Sequence, residues 1–179
     1  MSPQARWEYM KTIHERYAQA KERGINLHIW ERKEIENYLL NPNVIVRSIK
    51  ARTTKTPPTP ADVQALLDQA CEDEKDTVQD AMATSILRRD RPLGLTGANK
   101  IAREELKRRW EHERLHIVSG KTLVSRVSAW AQQQHGASIG AMALARGFRA
   151  SEIPQELQTV VTSIEEGAAF PTKSALTAP

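Results

Sequence analysis

Apolar positions recur mostly at three- and four-residue spacing along this chain, the signature of helices that each bury one face. Pro3 to Arg23 predicts the first, with Trp7, Met10, Tyr17 and Ala20 near one face and Gly24 as its stop. The period then changes. Ile25, Leu27 and Ile29 alternate with Asn26 and His28, which predicts a strand over Ile25 to Trp30. Leu115 to Val118 is the other stretch that reads as a strand. A lone strand cannot pair its own backbone groups and leaves an edge open to association, so the pattern implies partner strands outside this chain.

After Trp30 the helical period returns. A short helix is expected from Glu34 to Leu40, broken by Asn41 to Asn43, and Asn43 can cap another through about Ala51. Thr53 to Pro60 reads as a linker, its prolines favouring extended backbone. Thr59 makes a good N-cap with Pro60 at the first helical position. From Pro60 to about Arg89, Val63, Leu66, Leu67, Ala70, Val78, Met82 and Ile86 keep helical spacing, as one long helix or two. Arg91 to Gly97 is a break, and Asn99 to Arg109 is helical again. Leu123, Val127, Trp130 and Ala131 form the stripe of a helix over Thr122 to Gln134, ended by Gly136. A short helix over Ser138 to Arg146 follows, then a last one opened by Pro154 with Leu157, Val160, Val161 and Ile164 inward. The tail after Gly167 is small and polar, and disorder is expected there. The fold class is thus mainly α, with a helix–strand piece of an α/β domain in front. The organisation expected is residues 1–52, a linker at 53–60, a helical domain at 61–167 and a tail at 168–179.

Composition narrows the classes. At 179 residues, 40% apolar and 27% charged, the chain suits one globular domain with or without an appendage. No run of about 18 apolar residues exists to cross a membrane. The start lacks a signal peptide's apolar stretch, and Cys71 is the single cysteine, so neither an intrachain disulfide nor a thiolate zinc site is available. Cytoplasmic residence is the expectation. A net charge of +4 permits nucleic-acid contact without demanding it.

Glu34 and Glu36 stand where the strand-like run meets the helix-like one, among Arg32, Lys33 and Asn37. If they continue the strand, both carboxylates face one side roughly 7 Å apart. If they are helical, they point about 200° apart and cannot share an ion. A strand's carboxyl end is where α/β folds place sites, and paired carboxylates there suit Mg²⁺. Otherwise Glu34 favours a helix dipole while Ile35, Tyr38 and Leu39 pack a core.

Arg32, Glu34, Ile35, Glu36, Asn37, Tyr38, Leu39 and Leu40 reproduce an Arg-x-Glu-Ile-Glu-Asn-Tyr-Leu-Leu motif. The segment from His28 to Ile45 resembles the one that closes the Toprim nuclease domain of OLD-like ATP-dependent endonucleases and related AAA-family ATPases. The stretches from His116 to Val127 and Phe148 to Glu166 resemble the helical region that follows it. The resemblance implies an ATP-dependent, Mg²⁺-dependent DNA endonuclease in which Glu34 and Glu36 are catalytic metal ligands. The departures are large. No Asp-x-Asp pair occurs anywhere in the chain. Gly120, Lys121 and Thr122 match the end of a P-loop, but the upstream glycine it needs is missing, so Gly120 reads as a turn. Two-metal hydrolysis needs several carboxylates, and this chain offers at most the last of them. The expectation is a carboxy-terminal fragment, inactive alone. An ATPase domain or partner subunit would supply the missing acids, with ATP bound only in an absent amino-terminal portion.

Lys100, Arg103, Lys107 and Arg114 fall at helical intervals, with Arg108 and Arg109 on an adjacent face and Trp110 beside them. They are the candidates for contact with DNA phosphates, set against a mixed surface with Glu104, Glu105, Glu111 and Glu113. Asp73, Asp76 and Asp80 read as a solvated helix face, Cys71 as an inert thiol, and His112 with His116 as ligands only if one helix carries both. The rival to the nuclease fragment is a non-enzymatic helical interaction module docking on a partner ATPase, with the two glutamates structural.

Overall fold

In the computed structural model, which describes residues 15–170, every regular element is helical and no β-strand forms among the described residues. The α-helices run in the order α1 (residues 15–22), α2 (Pro42–Lys50), α3 (Pro60–Asp73), α4 (Lys75–Arg89), α5 (Gly94–Ile117), α6 (Gly120–His135), α7 (Ala141–Ala145) and α8 (Gln155–Glu165). A 3-10 helix, Ile35–Leu39, precedes α2. Two compact units result among the described residues, Glu31–Arg149 and residues 15–30 together with 150–170.

In the larger unit, Asn41 caps α2, its Oδ1 accepting the N–H groups of Asn43 and Val44 at 3.0 and 3.4 Å with Pro42 at the first turn. The helix therefore starts ahead of Asn43, the expected cap, because a proline inside the first turn gives up no hydrogen bond. Val44, Ile45 and Ile49 are buried on α2, as are Val63, Leu67, Ala70 and Cys71 on α3, and the two helices pack together. Each such Leu or Ile contributes about 1.5–3 kcal/mol relative to exposure. The proline-rich segment Thr53 to Pro60 thus lies within one packed unit. It is tied down as well: Thr53 donates to the His135 carbonyl at 2.6 Å, and the Lys55 ammonium to that of Gln134 at 3.2 Å.

Thr59 caps α3 as expected, in a reciprocal box with Asp62. The long periodic segment proves to be two helices, α3 ending and α4 beginning at Glu74. α4 and α5 then form a hairpin, turning through a 3-10 helix, Arg91–Leu93, and Gly94 at φ 67°, a conformation that favours glycine. α5 has 24 residues, about 36 Å of helix. It runs straight through Leu115 to Ile117, correcting the second expected strand: Ile117 continues the inner face with Ala102, Leu106 and Trp110, and Val118 is buried at the turn. Gly136, at φ 64°, ends α6 as read from the sequence.

The smaller unit holds the first expected strand, and this too is corrected. Gly24 ends α1 at φ 65°, and residues 25–30 continue without regular secondary structure or ladder partners. Side chains do the bridging. Asn26 donates to the Ala168 carbonyl at 2.9 Å and accepts the Phe170 N–H at 2.8 Å, while His28 bonds Glu156 of α8 at 2.9 Å. Leu157 and Val160 of α8 are covered, but Val161 and Ile164 are exposed, so the inward face is narrower than predicted. Trp7 and Met10, and the tail from residue 171, lie outside the described residues.

Candidate functional site

Residues 31–34 bend, and Glu34 remains extended as the N-cap of the 3-10 helix. Its carboxylate crosses to the amino end of α6. There Glu34 Oε2 accepts the backbone N–H of Lys121 at 2.9 Å and the Ser119 hydroxyl at 3.1 Å. Ser119, the cap of α6, in turn accepts the Thr122 N–H at 3.3 Å. Two of the free N–H groups that open α6, those of Lys121 and Thr122, are thereby satisfied by one acid and one hydroxyl. Partial burial pushes the Glu34 carboxyl up, but the Lys121 N–H, the Ser119 hydroxyl and the charges of Lys33 and Lys121 outweigh it, holding the group below its ordinary range.

Asn37 locks the same junction. Fully buried, it donates from Nδ2 to the carbonyls of Leu115 and Val118 at 2.8 and 3.0 Å, and its Oδ1 accepts the Glu34 N–H at 2.9 Å. Gly120 presses against it. A Cβ at residue 120 would lie 2.5 Å from the Asn37 backbone nitrogen and 2.7 Å from Oδ1, so only glycine fits. Lys33 adds a backbone bond to the His116 carbonyl at 2.8 Å. Arg32 reaches the Asn37 carbonyl at 2.7 Å and lies over the Tyr38 ring at 4.6 Å.

Glu36 is half-buried two residues further on, in a helix of three residues per turn. One carboxylate oxygen of Glu34 is already engaged at α6. Glu34 would offer a cation only its other oxygen, and among the described residues no group of three or more His, Cys, Asp or Glu side chains is placed to hold a metal ion. The residues present do not fit a self-sufficient Mg²⁺ site. His112 and His116 do share α5, yet His112 is exposed while His116 is half-buried, its imidazole pushed down by burial and by Arg32.

The basic candidates separate. Arg114 pairs with Asp68 of α3 at 2.6 Å, and Arg108 with Glu105 at 2.7 Å. Lys100, Arg103 and Lys107 are exposed on α5 and enter no ion pair with a described residue. Trp110, expected beside them as a surface aromatic, is instead buried, with its indole N–H on Glu72 and Lys75 over its ring. Cys71 is buried and its thiol is pushed up to about 11, chiefly by burial, as suits an inert group. Asp76 and Asp80 face solvent.

Sequence reasoning missed Asn37 and Gly120 as partners, because 83 positions separate them and neither carries a distinctive local pattern. The capping preference of Ser119 was the available signal. Compared with known proteins, the chain matches no family model, no curated protein and no solved structure.

Proposed function

We propose that this chain is a helical interaction module without a catalytic centre of its own, acting beside a partner ATPase of the OLD-like kind that its Glu34 to Leu40 stretch resembles. One observation carries the reading: the Glu34 carboxylate already accepts the Lys121 N–H and the Ser119 hydroxyl, which makes it a fastener between elements. Displacing it toward a metal would leave the Lys121 N–H without this partner, with Ser119 still capping α6. Asn37 and Gly120 support the same assignment, since they complete the junction and bring no reactive group to it.

The motif itself favours a second reading, in which Glu36 completes a partner's Mg²⁺ site as the last carboxylate of a split Toprim nuclease. Nicking of plasmid DNA with Mg²⁺, by the chain mixed with such an ATPase, separates the two. As an interaction module, the Glu36→Ala chain supports the same nicking rate as the natural one. A fall of a hundredfold or more, with helical content unchanged, would instead make Glu36 a ligand and overturn the first reading.

A further inference from the structure

The outer end of the α4–α5 hairpin is one of several basic stretches of the chain. Residues 81–103, the outer part of the α4–α5 hairpin, hold five bases (Arg88, Arg89, Arg91, Lys100 and Arg103) against the single acid Asp90. Their net is +4, bordered by Asp80 on one side and by Glu104 and Glu105 on the other, and residues 114–151 hold a further five bases and no acid. The five hairpin bases are all exposed. Arg89 turns back onto Ser85, and Arg88 and Arg89 complement the carboxyl end of α4. Arg91, Lys100 and Arg103 have no such local reason to cluster, and they form no ion pair with a described residue. Arg103 lies nine residues into α5, so the cationic surface occupies roughly 13 Å of hairpin. Deeper in the hairpin the character reverses, because Arg108, Arg109 and Arg114 are neutralised by Glu105, Glu113 and Asp68.

We propose that this hairpin end is a docking surface for the phosphate backbone of duplex nucleic acid, centred on Arg91, Lys100 and Arg103 with Lys107 at its margin. The proposal rests on the interaction-module reading and names the partner of that module. Charge complementarity selects a polyanion. The absence of any Phe, Tyr or Trp from residues 75–109 disfavours single strands, whose binding surfaces stack bases on aromatic rings. It also disfavours an anionic membrane, which is entered through an aromatic or broad apolar face. Here the exposed apolar side chains are Leu95 and Ile101, too few for that. Exposed Arg and Lys side chains match phosphate oxygens, so the recognition proposed is of backbone and shape.

Fluorescence anisotropy of the full chain on a labelled mixed-sequence duplex, in EDTA so that cleavage plays no part, tests this. Binding should weaken linearly in log–log form with salt, and R91Q/K100Q/R103Q should reduce that slope by about 2.7, near 0.9 for each lost phosphate contact. The single changes K100Q and R103Q should each remove about 0.9, which keeps the test decisive if the triple variant folds poorly. R108Q, already paired internally, should leave the slope unchanged. No duplex binding at low salt, a slope unaltered by the triple change, tighter binding of a single strand, or preferential binding to phosphatidylserine vesicles would each overturn the proposal. Because no metal is present, its failure is separate from the fate of Glu36 in the nicking assay.

Discussion

Gly120 shows how one missing methyl group decides a junction. Replacing glycine by alanine inside a helix ordinarily stabilises it by about 1 kcal/mol. At this position the sign reverses, because the added carbon would meet the Asn37 backbone at 2.5 Å, and backbone cannot step aside as a flexible side chain can. Gly120→Ala should lower unfolding stability by about 1–3 kcal/mol in urea titrations, the usual cost of overpacking. A neutral or stabilising result would mean that Asn37 and Gly120 do not meet in solution. Gly97 is the useful contrast: a Cβ there would meet only the Leu93 side chain, at 2.7 Å, which can rotate away. Sequence reading took Gly120 as a turn, whereas it is the first residue of α6, and its partner lies in another element and left no trace nearby.

Between elements, one defined tie is the Glu34 carboxylate on α6. A cap of this kind contributes about 1 kcal/mol, so Glu34→Ala should be destabilised by that amount at pH 7. The pH dependence follows from the sign of the shift. Because the folded carboxyl is held below its ordinary value of 4.5, its stabilisation is complete above that value and is lost as pH falls through the depressed one. The stability gap between natural and alanine chains should therefore stay constant from pH 7 to about 5 and close in stronger acid. A gap that persists in acid would show that the charge is not what holds α6. The helices themselves were largely legible: Thr59 and Pro60 announced α3, and Gly136 announced the end of α6. The strands were not. Ile25, Leu27 and Ile29 alternate, but alternation states only which side chains could share a face, while a strand also needs a neighbour for its backbone. Side chains of Asn26 and His28 took that bridging role. Leu115 to Val118 misled for the opposite reason, since three apolar residues around His116 fit the last turn of a buried helix as well as a strand.

For the molecule as a whole, the proline-rich segment is the instructive case. A linker between domains should be open to proteases, but Thr53, Lys55 and Thr56 are tied to the carboxyl end of α6, the last by a contact of 3.1 Å between its carbonyl and His135 Nδ1. Limited trypsin digestion should accordingly leave the Lys55–Thr56 bond intact under native conditions. Early cleavage there would restore the division into separate domains on either side. What the sequence determined by itself is the helical class, most helix boundaries and the inventory of charge, because spacing, caps and breakers act within a few residues. Tertiary structure alone decided that Glu34 fastens α6, that Trp110 is buried, and that Arg108 and Arg114 are neutralised while Lys100 and Arg103 stay available. Those outcomes depend on which distant group arrives within hydrogen-bond reach, and local pattern carries no record of distance in space.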